Sequence, residues 1–176
     1  AYGGSCFPKD TKAITITGDF FNTDLSIIKS VIKSNEKRRL ILTERIKKIL
    51  SNKIKNKRIA FLGVTFKPNT DDIREAPAIK IIGHLLEHNV AVQAYDPIAM
   101  DNAKALMKTH SNLSFHQSSE EACEKSDALV ITSEWGAFRN PNFTKLKEVM
   151  RHQQIFDGRN IFEPDEIHAE GFDYYW

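Results

Sequence analysis

The sequence predicts an α/β fold: a doubly wound, Rossmann-like parallel sheet without a G-x-G-x-x-G fingerprint, preceded by a short loop-and-helix segment and one long helix. Three observations carry this. Short apolar runs at residues 58–64, 90–95, 128–132 and 154–156 alternate with stretches of helical periodicity. Ahead of residue 57 only helical spacing occurs. The chain has 176 residues, 41% hydrophobic and 27% charged, enough for one buried core plus an appendage. Strands alternating with helices require parallel pairing through right-handed crossovers.

The elements follow in order. Residues 1–18 are a Gly-Gly turn entering a short helix, with Pro8 in its first turn and Asp10 near its positive end. From Asp24 to about Asn56, Leu25, Ile28, Val31, Ile32, Leu42, Ile46, Ile49, Leu50 and Ile54 recur at helical spacing, with Asn22 or Thr23 as N-cap. A helix of that length cannot bury its stripe against itself, so it packs on another domain or subunit. A strand at 58–64 leads through a polar loop to a helix at 76–88, a strand at 90–95 and a helix at 100–108. A strand at 113–115, a helix at 119–125, a strand at 128–132, a helix at 143–150 and a strand at 154–156 follow. A helix at 164–169 and the segment 172–175 close the chain. Two regions result: 1–56, loop and central helix, and 57–176, the wound domain.

Bulk properties exclude several classes. A net charge of +2 gives no argument for nucleic acid or a membrane surface. No apolar run approaches the roughly 20 residues of a membrane span. Two cysteines, Cys6 and Cys123, are too few for a disulfide framework and suit the cytoplasm. The opening Ala1-Tyr2-Gly3-Gly4, without an initiator Met, reads as a piece of a longer protein.

Wound sheets bind ligands beyond the carboxyl ends of their strands. There stand Thr65-Phe66-Lys67, Asp96, Glu134-Trp135 and Asp157-Gly158-Arg159, and the cations Lys67 and Arg159 suit an anion such as a phosphate. Only Gly63 follows the first strand, so a nucleotide here does not sit in the usual dinucleotide cradle. Cys6 lies just before a Pro-started helix, where backbone N–H groups and the macrodipole favour a thiolate. The two preceding glycines allow close approach to a bulky ligand, and Asp10 returns to the same face as a base toward water. Position alone leaves this cysteine equally readable as a small residue after a glycine turn.

The segment Tyr2-Gly3-Gly4-Ser5-Cys6-Phe7-Pro8-Lys9-Asp10 resembles the active-site motif of the UDP-glucose/GDP-mannose dehydrogenase family. Residues 66–77, FKPNTDDIREAP, are similar to that family's loop after the first strand of its nucleotide-sugar domain, and Ala94-Tyr95-Asp96-Pro97 and 155–160, IFDGRN, fit in the same order. The resemblance implies an NAD-dependent four-electron oxidation of UDP-glucose to UDP-glucuronate by a homodimer, with an NAD-binding domain upstream. It makes Cys6 the nucleophile that forms a thiohemiacetal and then a thioester, and Asp10 the helper of the hydrolytic water. It places Cys6, Phe7, Pro8, Lys9 and Arg74 against NAD, and Tyr2, Gly3, Phe66, Lys67 and Arg159 against the nucleotide sugar. GDP-mannose or a UDP-N-acetylhexosamine is the alternative substrate, and a non-catalytic nucleotide-sugar-binding module the alternative class. Phe7-Pro8-Lys9 and the Lys-Pro-Asn-Thr-Asp-Asp loop favour UDP-glucose.

Simpler readings apply elsewhere. Asp71 and Asp72 are loop caps, Cys123 an inert thiol on an amphipathic helix, and Arg159 alternatively a clamp on a carbonyl. His84, Glu87 and His88 match H-x-x-E-H but lie on the polar face of a crossover helix without a third ligand, so no metal is expected.

Overall fold

A computed structural model describes residues 1–50, 54–107 and 110–176. The six strands are β1 (Arg58–Leu62), β2 (Ala91–Tyr95), β3 (Leu113–Phe115), β4 (Ala128–Ile131), β5 (Gln154–Asp157) and β6 (Asp173–Tyr175). They form one sheet in the order β3-β2-β1-β4-β5-β6, every pair parallel. The helices are α1 (Phe7–Phe20), α2 (Ser26–Ile49), α3 (Pro77–Glu87), α4 (Met100–Met107), α5 (Ser119–Cys123), α6 (Gly136–Arg139), α7 (Phe143–Val149) and α8 (Pro164–Ala169). The order reverses between β1 and β4, which is where such sheets leave a crevice at their carboxyl ends.

Alternation along each strand splits the core into two layers. Ile59, Phe61, Val92, Val130 and Phe156 face one side, where Ile81, Ile82 and Leu85 of α3 and Ile46 of α2 cover them. Ala60, Leu62, Leu129, Ile131 and Ile155 face the other, under Cys123, Phe138, Leu146 and Ile167. Each fully buried Phe, Ile or Leu contributes about 1.5–3 kcal/mol. Strands buried on both faces read as continuous apolar runs, as these do. Cys123 belongs to the second layer, and burial pushes its thiol up to about 12.

The structure corrects several sequence expectations. The long helix stops at Ile49, not near Asn56. Leu50 caps it, donating to Ile46 O at 2.9 Å, and Asn56 turns the chain into β1 with φ +64, which asparagine tolerates. Residues 51–53, within the expected helix, lie outside the described residues. Neither Asn22 nor Thr23 is the N-cap: Leu25 is, without a side-chain cap, while Asp24 Oδ1 accepts from Ser26 N at 2.9 Å. The first strand ends at Leu62, because Gly63 adopts φ +90. The short α6 follows Trp135 and was missed, since one helical turn has no period to detect.

Candidate active site

The amino-terminal turn is shaped by its glycines. Gly4 has φ +88, and a Cβ there would press on the Phe66 ring at 2.9 Å. A Cβ on Gly3 would collide with Glu75 O. Gly4 N donates to Arg74 O at 2.9 Å. The turn therefore lies directly on the loop 63–76 that follows β1. Cys6 is the N-cap residue of α1, with Pro8 in the first turn and no side-chain cap. Its thiol is exposed, 3.7 Å from Ser5 Oγ. Asp10 N donates to Cys6 O at 2.9 Å, so Asp10 shares that turn, but its carboxylate pairs with Lys9 Nζ at 2.8 Å. The rings of Tyr2 and Phe7 meet edge to face at 4.7 Å.

The loop 63–76 carries the other half. Lys67 Nζ lies 5.3 Å from the centroid of the Phe66 ring. Asp72 accepts from Arg74 Nε and Nη2, each at 2.9 Å, and this holds its carboxyl below the usual carboxylate range. Asp71 accepts from Asn102 at 3.1 Å. Both acids thus fasten the loop, as the sequence suggested. Glu75 has φ +52, a left-handed conformation that costs a non-glycine residue on the order of 1–3 kcal/mol. Pro8, Lys9 and Arg74 line one groove of about 490 Å3, with Lys12 and Glu75.

Sequence reasoning missed the residues that join these halves. Asn35 and Arg39 lie on α2, 7% and 3% exposed. Asn35 Oδ1 accepts from Tyr2 N at 2.7 Å, and its Nδ2 donates to Tyr2 O at 3.1 Å. Arg39 Nη2 donates to the same carbonyl at 3.3 Å, while Nη1 donates to Glu75 Oε2 at 2.8 Å. The signal was a gap: Ile28, Ile32, Asn35, Arg39, Leu42, Ile46 and Ile49 follow a four-three spacing, and the apolar stripe is interrupted by these two polar residues. Arg39 Nε finds no partner among the described residues, and an unsatisfied buried donor costs about 1–3 kcal/mol. Stability alone would favour an apolar residue here.

The strand-end rim differs in part from expectation. Arg159 Nε contacts Glu134 Oε2. Asp96 is buried, accepting from Val64 N at 2.9 Å, Ile98 N at 3.1 Å and Ala99 N at 3.0 Å. Asp157 accepts from Arg159 N and Ile161 N, each at 2.7 Å, and from the Tyr174 hydroxyl at 2.8 Å. These two acids shape the ends of β2 and β5 and are not ligand groups. Ser133 Oγ and Trp135 Nε1, beyond β4, are buried without partners among the described residues. No group of three or more His, Cys, Asp or Glu that could hold a metal occurs among the described residues.

Residues 60–164 match the family model described as the UDP-glucose/GDP-mannose dehydrogenase family, UDP binding domain. The chain belongs to this dehydrogenase family. It is similar to the UDP-glucose 6-dehydrogenase of Rickettsia typhi, 41% identical over 174 residues, 99% of this chain and 40% of the relative. It is also similar to that of Bacillus subtilis, 39% identical over 99% of this chain and 39% of the relative. The chain thus spans about 40% of the length of the curated relatives it matches. Among solved structures, a UDP-glucose dehydrogenase from Pyrobaculum islandicum superposes with TM-score 0.84 at 26% identity, over 100% of this chain and 38% of that one. A UDP-D-ManNAc dehydrogenase from Pyrococcus horikoshii gives 0.80 at 27%, over 99% and 38%.

In this family member the Arg39–Glu75 pair has a pH signature. The Arg39 hydrogen bond holds the Glu75 carboxyl below its ordinary 4.5. The unfolded chain binds that proton more readily, so the pair's contribution is complete above pH 4.5 and is lost as pH falls through the lowered value. Urea unfolding between pH 3 and 7 should show wild type exceeding Glu75→Gln most at neutral pH, with the gap closing in acid. A gap that stays constant across this range would contradict the pairing.

Proposed function

We propose that this chain is the carboxyl-terminal portion of a cytoplasmic, NAD-dependent UDP-glucose 6-dehydrogenase, which oxidises UDP-glucose to UDP-glucuronate. In this reading residues 1–56 are the catalytic cysteine loop and dimerisation segment, and 57–176 the UDP-sugar domain. The observation that carries it is the stitching of the Cys6 turn to the 63–76 loop of the UDP-binding domain. A thiol at a helix N-terminus and an exposed lysine then share one surface with a nucleotide site, while the two glycines are used up in the contact between the loops.

The chain's residues divide the work as follows. Phe66, Lys67 and Arg159 hold the nucleotide sugar, the two cations near its diphosphate, with Tyr2 and Gly3 against the hexose. Phe7, Pro8, Lys9 and Arg74 hold the cofactor, as the groove shared by Pro8, Lys9 and Arg74 supports, with Cys6 beside the nicotinamide. NAD, when bound, would supply the hydride acceptor at C6, a fresh molecule for each of the two oxidations. Between the two oxidations the Cys6 thiolate adds to the C6 aldehyde and forms a C–S bond. Loss of the second hydride leaves a thioester. Water, oriented by Asp10, adds to the acyl carbon, and the C–S bond breaks to release the acid and the thiolate. This loop sequence favours UDP-glucose over GDP-mannose or a UDP-N-acetylhexosamine.

In the full-length protein, Cys6→Ala should abolish UDP-glucuronate formation while leaving nucleotide-sugar binding near wild type. Arg159→Ala and Lys67→Ala should raise KM for UDP-glucose by one to two orders of magnitude, from about 1.5–3 kcal/mol per charge-assisted contact, and Arg74→Ala that for NAD. Wild-type turnover to the acid by Cys6→Ala, followed as NADH, would sink the covalent role.

The apolar surface of α1 and α2 supports a homodimer. Phe20 and Ile27 are each 79% exposed, and Ile16, Phe21 and Ile41 also face outward. Exposed apolar patches of this kind mark interfaces, and a two-fold pair is the commonest way to cover one. Light scattering of the 176-residue chain should give twice the 20.1 kDa monomer mass; a monomer at high concentration would refute this surface as the dimer contact.

A further inference from the structure

We infer that Asn35 and Arg39 are positioning residues for the Cys6 step, an inference that rests on the function proposed above. Among the described residues neither side chain hydrogen-bonds to Cys6. Both act on Tyr2, four residues before the thiol, and Arg39 also acts on Glu75, the neighbour of Arg74. The Asn35 amide meets both the N–H and the carbonyl of Tyr2, which fixes the rotation of that peptide segment as well as its place. Arg39 bridges the Tyr2 carbonyl to a carboxylate on the other loop. Gly4 N to Arg74 O then closes a ring through α2, the cysteine turn and the loop after β1.

The arrangement suits positioning better than bulk stability. Glu75 is held in a left-handed backbone, and the Gly3 contact leaves no room for a side chain between the two loops. An arginine whose Nε has no partner among the described residues is buried at a stripe position where leucine would pack. What the ring delivers is a fixed distance between the thiol on α1 and the cations on the 63–76 loop. A covalent step is sensitive to that distance, since a displacement near 1 Å can cost on the order of a hundredfold in rate.

The test uses Asn35→Asp, Arg39→Lys and Arg39→Met. The aspartate has the size of asparagine and keeps the acceptor for Tyr2 N, but it sets a carboxylate against Tyr2 O. In full-length protein with UDP-glucose and NAD, Asn35→Asp and Arg39→Met should lower kcat on the order of 10–100-fold, with KM for UDP-glucose within about threefold of wild type. Arg39→Lys, which keeps one donor for Glu75, should recover part of the loss. In the 176-residue chain, the Gly4 amide should exchange with solvent about tenfold faster in Asn35→Asp, while amides of β1 exchange as in wild type. Wild-type kcat together with wild-type Gly4 exchange in Asn35→Asp would overturn the inference, even if Arg39→Met fails to fold. Wild-type protein that yields no NADH from UDP-glucose would instead end the functional reading, and Gly4 exchange alone would then decide whether the ring exists.

Discussion

A buried guanidinium organises this molecule. Arg39 sits where an amphipathic helix would carry leucine, and it ties the amino-terminal turn to the loop beyond β1 through Tyr2 O and Glu75. Two segments more than sixty residues apart in sequence share one surface because α2 runs beneath both. The glycines at 3 and 4 are the complement of this joint: they remove the side chains that would hold the surfaces apart. The left-handed Glu75 is tolerated because the ion pair and the Gly4–Arg74 bond over-determine it.

The sheet supplies the platform, and its departure from a dinucleotide fold has a local cause. In a cofactor-binding fold of this order, β1 passes through a tight glycine turn straight into a helix whose N-terminus meets the pyrophosphate. Here Gly63 packs against Ser133, and Thr132 Oγ1 donates to Gly63 O at 2.6 Å, stitching the ends of β1 and β4 together. Helix α3 begins only at Pro77. The residues between have become an ordered loop that presents Lys67 and Arg74, and an anionic ligand would meet side chains where other folds offer backbone amides.

Much of this was legible in the sequence. The apolar runs of β1, β2, β4 and β5 announced a parallel sheet because strands buried on both faces need no alternation. The cysteine motif and the Phe66–Pro77 loop pointed to the family, and residues 60–164 carry its domain. Three things escaped. The end of α2 depends on tertiary packing, with Ile54 buried against the core beyond the helix. Glu134 and Arg159 stand at the ends of different strands, so their pairing exists only once β4 and β5 align. Asn35 and Arg39 were visible as a break in the stripe, yet a polar residue on a surface helix is by default solvated. Only the loops folded over it show otherwise.

The joint depends on the coupling between α2 and the loop after β1. A double-mutant cycle of Arg39→Met and Glu75→Gln, read by urea unfolding of the 176-residue chain at neutral pH, measures that coupling directly. An interaction energy within roughly 0.5–3 kcal/mol is the predicted result, because Glu75→Gln removes the carboxylate that the buried Arg39 pairs with and Arg39→Met removes the donor to Glu75. Additive effects, equal within about 0.3–0.5 kcal/mol to the sum of the two single changes, would show that Arg39 does not join the cysteine turn to the UDP-binding domain.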